Sequence, residues 1–297
     1  MSENPPQQEV YYAHAKINLS LEVLNKRPDG FHEVMTVMQT IGLSDKLYLS
    51  LADDLQFDCN QPGLVVEDNL VWRAALLMLE LCGEGQQRGA DIFLEKVIPL
   101  KAGLGGGSSD AATTLVALNK LWKLELSEDQ LIELAAQLGS DVPFFVRGGT
   151  ALAEGRGEKL EALPGLAPSW LVLLFPQVEL PDNKTRELYR MLDHNDFSSG
   201  GVSRALVRAI SRQERPSQSL FFNSFERVAY ERFSRLDYFR QAMVEAGADY
   251  VRISGSGPTI YTLLNEEAYA QNIANQLNER GFSTVVVPTV QPGGKNV

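Results

Sequence analysis

The stretch of the chain best suited to chemistry is a glycine-rich run that joins an apolar segment to a helical pattern within residues 97–122. Its members are Gly103, Leu104, Gly105, Gly106 and Gly107. Glycine has no Cβ, so the backbone can bring its N–H groups close to a ligand. The start of a helix adds free N–H groups and the positive end of the helix dipole, which together favour phosphate. The run therefore predicts a phosphate-binding loop, with Ser108 and Ser109 as the hydroxyls that cap the helix.

This loop differs from the two commonest phosphate motifs. A Walker A loop needs Gly-Lys before Ser or Thr, whereas the Gly-Lys pair of this chain, Gly294 and Lys295, precedes Asn296. A dinucleotide-binding fingerprint needs the pattern GxGxxG, and here the third glycine is wrongly spaced. A flexible connection between a strand and a helix is the alternative interpretation.

A second group of polar residues lies on a predicted strand near the N-terminus. Apolar and polar residues alternate from Ile17 to Val23, which is typical of a half-buried strand. Lys16, Asn18 and Ser20 then share one face of the sheet. This face is either part of a site or simply exposed to solvent.

A carboxylate is expected on a turn further along the chain. A helix is predicted to begin at Ser127 and to stop near Gly139. Pro143 disfavours a helical conformation at the residue before it, so Asp141 is predicted to lie on a turn. Phosphoryl transfer needs a phosphate-binding loop, a cation and a carboxylate that accepts a hydroxyl proton. Together, the three groups favour an ATP-dependent kinase that acts on a small alcohol.

The turn in residues 26–33 places an aromatic and an imidazole side by side. Pro28 and Gly30 suit the bends of this turn, and Phe31 and His32 follow them. The two side chains are either a recognition pair or a packed aromatic with an incidental histidine.

The elements that must position these residues indicate an α+β protein of two domains. In the first half, strands are predicted in 10–24, 34–51 and 91–97, and a helix runs from Asn69 to Cys82 behind a loop at Pro62 and Gly63, with Asp68 or Asn69 as its cap. The boundary is placed in 157–170, a segment with two prolines.

The second half has the pattern of a split αβ sandwich with antiparallel strands. Its predicted strands are 170–175, 283–287 and two within 249–264, and its predicted helices are 184–192, 201–212, 223–246 and 266–279.

Composition excludes several classes of protein. The net charge of −11 argues against a nucleic-acid surface, so an anionic substrate must be met by local positive charge. Cys59 and Cys82 are too few for a disulfide framework. The polar N-terminus and the lack of a run of about eighteen apolar residues predict a cytoplasmic protein with no membrane partner.

Three segments together resemble the motifs of the GHMP kinase superfamily: AKINL at 15–19, PLKAGLGGGSSDAA at 99–112 and SGSGPTIY at 254–261. Four more segments are similar to members of the superfamily whose alcohol substrate carries cytidine diphosphate. They are RPDGFHEV at 27–34, EDNL at 67–70, LGSDVPFF at 138–145 and EGRGE at 154–158. The resemblance runs from about residue 11 to residue 288.

The resemblance implies a fold and an activity. The expected fold is an N-terminal ribosomal-protein-S5-like domain over 1–162, which binds ATP and carries the catalytic residues, followed by a ferredoxin-like αβ sandwich over 163–297, which binds substrate. The expected activity is phosphorylation of the substrate's 2-hydroxyl in the non-mevalonate isoprenoid pathway. ATP and Mg²⁺ are the implied cofactors, and the metal ligands are not identified. The protein is expected to be a monomer or a homodimer.

The resemblance also implies roles for individual residues. Asp141 is the catalytic base, with Lys16 as its ion partner. The glycine loop, with Ser108 and Ser109, holds the ATP phosphates, and Asn69 lies near adenine. On the substrate side, Phe31 and Tyr189 sandwich cytosine. The other substrate-side residues are His32, Asn18 and Thr185.

Two positions depart from the family pattern, which usually has Pro where this chain has His14 and Tyr where it has Phe31. Phe31 keeps the stacking face and loses a hydroxyl. The alternatives are another GHMP kinase that acts on homoserine or a mevalonate-type alcohol, and a non-catalytic nucleotide-binding regulator. The turn at 27–34 and Tyr189 argue against the first, and intact Lys16 and Asp141 argue against the second.

Overall fold

The computed structural model describes residues 8–61, 67–82, 88–233 and 235–291. The predicted loop at Pro62 and Gly63 lies outside these residues. Within them the N-terminal half contains strands β1 (Glu9–Lys26), β2 (His32–Ala52), β3 (Leu55–Cys59), β4 (Gly89–Glu95), β5 (Thr150–Gly155) and β6 (Lys159–Leu163). Its helices are α1 (Leu70–Leu81), α2 (Gly106–Leu121), α3 (Glu128–Leu138) and α4 (Val142–Arg147).

The C-terminal half contains the remaining elements. Its strands are β7 (Trp170–Leu174), β8 (Phe222–Asn223), β9 (Arg252–Ile253), β10 (Ile260–Leu264) and β11 (Thr284–Pro288). Its helices are α5 (Lys184–Met191), α6 (Gly201–Ser211), α7 (Glu226–Arg232), α8 (Leu236–Glu245) and α9 (Glu267–Glu279). The α+β expectation is confirmed.

The first sheet is built on the long hairpin of β1 and β2. Strands follow the order β3-β4-β2-β1-β8, and β5 pairs with both β2 and β6. Helices α1 to α4 cover one face and enclose a core that includes Met78, Leu115 and Phe144. This packing places the start of α2 and the turn before α4 against β1, which carries Lys16.

The prediction that β1 is half-buried is wrong, because the strand is covered on both faces. Every residue from Ala15 to Val23 is buried, including Lys16, Asn18 and Ser20. Helix α6 packs on the polar face, where the Ser20 and Ser203 hydroxyls lie 2.8 Å apart. The polar side chains of β1 are therefore part of the interior and need partners there.

The second sheet is antiparallel, with strand order β11-β7-β10-β9. The split αβ sandwich is therefore present as predicted. The single helix predicted over 223–246 is wrong, since α7 and α8 are separate helices. Phe233 ends α7 with φ −109° and ψ 78°, outside the helical region, and its side chain is buried in the core.

The two halves interlock. Strand β8 pairs in parallel with β1 and so adds a C-terminal strand to the N-terminal sheet. The Tyr261 hydroxyl donates a 2.8 Å hydrogen bond to the Asn18 carbonyl, and Val290 N–H donates one to the Thr40 carbonyl. The division into 1–162 and 163–297 stays a prediction. Among the described residues, no helix is both long and apolar enough to cross a membrane.

Candidate active site

A cavity of about 700 Å³ opens between the two halves. Its walls are Lys16, Asn18, Leu21, Val34, Thr36, Lys101, Gly103, Gly105, Asp141, Arg156, Gly157, Asp182, Asn183, Lys184, Thr185, Arg186, Tyr189, Phe225, Gly255 and Ser256. Five of these side chains are basic and two are acidic, in a chain whose net charge is −11. The cavity therefore suits an anionic ligand, since its walls carry the local positive charge that the acidic chain otherwise lacks.

Lys16 and Asp141 meet in the cavity as the sequence predicts. Lys16 Nζ lies 3.7 Å from Asp141 Oδ2, and the side chains are 5% and 43% exposed respectively. Asp141 sits on the turn just before α4, whereas Lys16 is held inside β1. Burial lowers the pKa of Lys16, and the Asp141 carboxylate opposes that shift. A fixed cation thus stands beside a carboxylate that is open to a ligand.

Asn18 holds Lys16 in place through a short chain of hydrogen bonds. Lys16 Nζ donates to Asn18 Oδ1 at 2.7 Å, and Asn18 Nδ2 donates to Thr36 Oγ1 at 2.8 Å. The Thr36 hydroxyl in turn donates to the Ser20 carbonyl at 2.6 Å. The amide oxygen of Asn18 is therefore engaged by the lysine, which fixes the orientation of both side chains.

The glycine loop is tied to the same lysine and to the turn that precedes β10. Lys16 N–H donates to the Leu104 carbonyl at 2.9 Å. Gly103 has φ +84°, and a Cβ there would overlap the Ser254 carbonyl oxygen. Gly105 has φ +73°, and a Cβ there would lie 2.5 Å from the Phe145 ring. Both positions therefore require glycine, on conformational and on steric grounds.

The prediction that Ser108 and Ser109 cap helix α2 is wrong. The helix begins at Gly106, and its N-cap is Gly105 in the left-handed conformation, with no side-chain capping bond. Ser109 is buried, and its hydroxyl donates to the His14 carbonyl at 2.6 Å. Ser108 lies half-buried in the first turn of the helix. The loop thus presents backbone N–H groups, while the Ser109 hydroxyl anchors the helix to β1.

The outer side of the loop is open. Gly107 is exposed, and a Cβ there would meet only Leu70 Cδ1, at 3.8 Å. Leu70 starts helix α1, whose N-cap is Asn69, as predicted; Asn69 Oδ1 accepts from Val71 N–H at 2.9 Å. Leu104 is buried, so only its backbone is available to a ligand.

A buried cluster of three charged groups lies under the loop. Lys96 Nζ lies 2.5 Å from Asp45 Oδ2 and 2.7 Å from Asp110 Oδ2. Asp45 Oδ1 also accepts from the Val97 and Ile98 N–H groups, whereas Asp110 Oδ1 has no hydrogen-bond partner. Desolvation and the nearby Asp45 raise the pKa of Asp110 to about 8, against the opposing effect of Lys96. Asp110 is accordingly the carboxyl that keeps its proton.

Each of the residues predicted to recognise a base either lines the cavity or contacts a residue that does. The His32 ring stacks on the Tyr189 ring, with centroids 4.7 Å apart and planes 18° apart. Phe31 is 54% exposed, and the Arg156 guanidinium lies 4.9 Å from its ring centroid. Burial lowers the pKa of His32 and raises that of Tyr189 to about 12, so both side chains are neutral near pH 7. One face of Tyr189 is thus covered by His32.

Several of the predicted site residues line the cavity, and others surround it. The first group contains Lys16, Asn18, Gly103, Gly105, Asp141, Thr185 and Tyr189. Leu104, Gly106, Gly107, Ser108, Ser109, Asn69, Phe31 and His32 lie outside that lining. The Thr185 hydroxyl lies 2.9 Å from the Ser256 hydroxyl, which links α5 to the turn before β10.

Sequence reasoning missed four basic residues of the cavity. Lys101 belongs to the glycine motif itself, and Arg156 lies within EGRGE. Lys184 and Arg186 flank Thr185 directly. The acidic composition indicates that such cations must exist, and their position inside or beside the quoted motifs is the signal that could have found them.

His14, which replaces the usual proline, is compatible with the strand. Its carbonyl accepts the Ser109 hydroxyl bond, while its Nδ1 is buried without a hydrogen-bond partner. Burial lowers the pKa of His14, so the ring is neutral. Lys16, two residues further along, keeps its contacts with Asn18 and Asp141.

Family comparisons agree with this geometry. The family described as GHMP kinases N terminal domain matches residues 69–149, and the one described as GHMP kinases C terminal matches residues 204–282. A protein of Dehalococcoides mccartyi named 4-diphosphocytidyl-2-C-methyl-D-erythritol kinase is 45% identical over 280 residues, which cover 94% of this chain and 98% of that protein. A protein of the same name from Bacillus pumilus is 41% identical over 96% of this chain and 97% of its own length.

A solved structure is also similar to this chain in fold and in sequence. The crystal structure of a 4-(cytidine 5'-diphospho)-2C-methyl-D-erythritol kinase superposes with a TM-score of 0.80 at 36% identity and covers 96% of this chain and 100% of that one. Fold and site together define a small-molecule kinase of the GHMP class. The chain belongs to the 4-diphosphocytidyl-2-C-methyl-D-erythritol kinase family.

Proposed function

We propose that this protein transfers the terminal phosphoryl group of ATP to the 2-hydroxyl of 4-diphosphocytidyl-2-C-methyl-D-erythritol, a step of the non-mevalonate isoprenoid pathway. The observation that carries the proposal is the position of the Lys16 and Asp141 pair. The pair lies in a basic cavity that is also lined by the glycine loop and by Tyr189, on which His32 stacks. A phosphate donor and a base-bearing acceptor would therefore meet at the pair.

Asp141 and Lys16 have different roles in the proposed reaction. Asp141 is the more exposed partner and accepts the proton from the attacking hydroxyl. The hydroxyl oxygen bonds to the terminal phosphorus of ATP as the bond from that phosphorus to the bridging oxygen breaks and ADP leaves. Asp141 and the Asn18 amide oxygen both face the ammonium group of Lys16 and favour its charged form, although burial lowers the pKa of Lys16. Its charge stabilises the negative charge that develops on the transferred group.

The glycine loop is assigned to the phosphates of ATP. The N–H groups at the start of α2 point away from the helix, and Gly107 faces open space that a phosphate can fill. Ser108 and Ser109 lie in the same helical turn, and Asn69 stands beside the loop near the expected adenine position. These contacts fix ATP through the backbone, with little dependence on side-chain charge.

Mg²⁺ fits this site as an ion held mainly by phosphate oxygens. Among the described residues, no three His, Cys, Asp or Glu side chains form a metal-binding group. Mg²⁺ characteristically takes one or two carboxylates together with substrate phosphates, and Asp141 is the carboxylate nearest Lys16. When bound, the ion neutralises phosphate charge.

The acceptor subsite is assigned to the turn at 27–34 and helix α5. Cytosine replaces His32 on the face of Tyr189 and stacks against Phe31, while the neutral imidazole hydrogen-bonds the edge of the base. Asn18 and Thr185 line the same cavity as Asp141. Homoserine and mevalonate have no base, so these aromatic side chains favour the cytidine compound.

An ATP-consumption assay with a panel of acceptors tests the proposal. The panel contains 4-diphosphocytidyl-2-C-methyl-D-erythritol, the same alcohol phosphate without cytidine, homoserine and mevalonate. We expect turnover with the first compound at a kcat/KM at least about a hundredfold above the others, as loss of two stacking contacts predicts. Comparable turnover with homoserine or mevalonate would overturn the substrate assignment, and no turnover with any acceptor would overturn the activity.

A further inference from the structure

Lys184 is a buried cation in the cavity whose role the proposed reaction leaves open. It is the first residue of helix α5, and only 5% of it is exposed. Its Nζ donates a 2.7 Å hydrogen bond to the Lys101 carbonyl and another to the Gly257 carbonyl. Those carbonyls belong to the segment leading into the glycine loop and to the turn before β10. Lys184 therefore joins both loops that border the reacting pair.

Among the described residues, no carboxylate oxygen lies within 4.0 Å of Lys184 Nζ, so the lysine has no ion-pair partner there. The charged groups around it are Lys16 on β1, Lys101 with its partner Asp182, and Asp141 on the turn before α4. Burial and the two neighbouring lysines lower the pKa of Lys184 to about 8. A buried cation without a counterion destabilises the fold, so its presence calls for a ligand that compensates it.

We propose that Lys184 is a second phosphate-binding lysine, which contacts a phosphate oxygen where the two substrates meet. An ammonium group has three donors, and the Lys101 and Gly257 carbonyls take two of them. The third is available to the cavity that the side chain lines. The inference rests on the proposed function, which brings a triphosphate and a diphosphate into this space. The triphosphate and the diphosphate both offer a phosphate oxygen to Lys184.

The position of Lys184 on helix α5 links the proposed phosphate contact to substrate recognition. Lys184 is followed directly by Thr185, and Tyr189 lies on the same helix. A phosphate bound at Lys184 would therefore set the position of the helix that carries the base-stacking ring. This makes Lys184 a contact residue for phosphate and a link between the two subsites.

Two substitutions of Lys184 separate the effect of its charge on ligand binding from its structural role. Lys184→Gln keeps an N–H donor for the carbonyls and removes the charge, and Lys184→Arg keeps the charge. Lys159→Met, which removes an exposed lysine on β6, is the matched control. Calorimetry measures the affinity of each variant for a nonhydrolysable ATP analogue and, separately, for cytidine 5'-diphosphate. The two titrations show which substrate supplies the phosphate.

We expect Lys184→Gln to weaken binding of at least one of the two ligands by roughly tenfold or more, with recovery in Lys184→Arg and no change in Lys159→Met. Unchanged affinity for both ligands, even with a lower melting temperature, would overturn the inference and leave a structural role. These binding measurements need no turnover, so they stand apart from the acceptor panel. If the acceptor panel shows no turnover while Lys184→Gln still binds a ligand more weakly, the proposed reaction is rejected and the inference on Lys184 stands.

The pH dependence of binding to the wild type and to Lys184→Arg gives a second check, which does not need the variant that loses the charge. A protonated Lys184 binds phosphate and a neutral one does not, so affinity falls as the pH rises through about 8. Lys184→Arg removes this loss because guanidinium stays charged. Lys16, Lys101, Asp141 and Asp182 are the same in both proteins, so the difference between the two curves belongs to residue 184. Parallel curves would contradict the inference.

Discussion

At the scale of single residues, the proposed chemistry depends on one carboxylate that is free to approach the substrate. Asp141 is 43% exposed, while its lysine partner is buried. Asp141→Asn keeps the shape of the side chain and removes its ability to take a proton. We expect kcat to fall by about 10²- to 10⁴-fold, with the affinity for a nonhydrolysable ATP analogue nearly unchanged. Steady-state kinetics and calorimetry measure the two quantities, and near-normal kcat in the variant would rule out Asp141 as the base.

The aromatic residues of the acceptor subsite make a second prediction at this scale. Phe31→Ala and Tyr189→Ala each remove one stacking face, worth roughly 1–3 kcal/mol. We expect the KM for the cytidine substrate to rise about tenfold in each variant while the KM for ATP changes little. Tyr238→Ala serves as the control, because Tyr238 is as exposed as Phe31 and its ring lies against Phe239 and Phe282, outside the acceptor subsite. Equal effects on the KM values of both substrates would contradict the sandwich.

At the scale of elements, the glycine loop offers two substitutions with opposite expectations. Gly103→Ala forces a side chain into φ +84° and against the Ser254 carbonyl, so it should cost more than about 2 kcal/mol of unfolding free energy. Gly107→Ala meets only Leu70 at 3.8 Å and lies in a helix, so stability should be kept or slightly raised. Its methyl group nevertheless fills the space assigned to phosphate, and we expect the KM for ATP to rise about tenfold.

Thermal denaturation and steady-state kinetics measure both effects of these alanine variants. The Gly107→Ala protein is the decisive one, because it separates binding from folding. A normal KM for ATP in that variant would mean that the phosphates lie elsewhere on the loop.

Local signals predict some elements of this chain well and others poorly. The Asn69 cap and the helix start at Ser127 are encoded in neighbouring residues, and both are confirmed. The burial of β1 on both faces and the break at Phe233 depend on packing by segments distant in sequence. Lys184 is missed for the same reason, since its partners Lys101 and Gly257 are more than seventy residues away. Motifs thus predict candidate reacting residues, whereas tertiary packing decides which nearby cations join them.

At the scale of the whole molecule, the two halves act as one binding unit. Strand β8 extends the first sheet, and Tyr261 of the second sheet holds the Asn18 carbonyl next to Lys16. Basic residues from both halves face the same cavity, although the chain as a whole is acidic. The surface charge repels anions in general, and the cavity attracts them locally. Selectivity for phosphate compounds therefore depends on the halves remaining together.

The stability of the whole molecule should also depend on pH through the buried cluster under the glycine loop. Two carboxylates, Asp45 and Asp110, share one ammonium group, and a single Lys96 charge compensates only one of them. Asp45 accepts two backbone N–H bonds, whereas Asp110 Oδ1 has no hydrogen-bond partner. The pKa of Asp110 is raised to about 8, so Asp110 holds the proton. The unfolded chain releases this proton near the ordinary aspartate pKa of about 3.9.

A raised folded-state pKa gives a stabilising contribution that is complete below the unfolded pKa and disappears as the pH rises through the folded pKa. Between pH 6 and pH 9 the wild-type unfolding free energy should therefore fall, relative to that of Asp110→Asn, by on the order of 2 kcal/mol. The asparagine variant stays neutral across this range, and all other titrating groups are common to both proteins. Urea denaturation at pH 6 and pH 9 measures the difference. Wild-type and variant curves that shift equally with pH would show that Asp110 is ionised throughout, and that Lys96 balances both carboxylates.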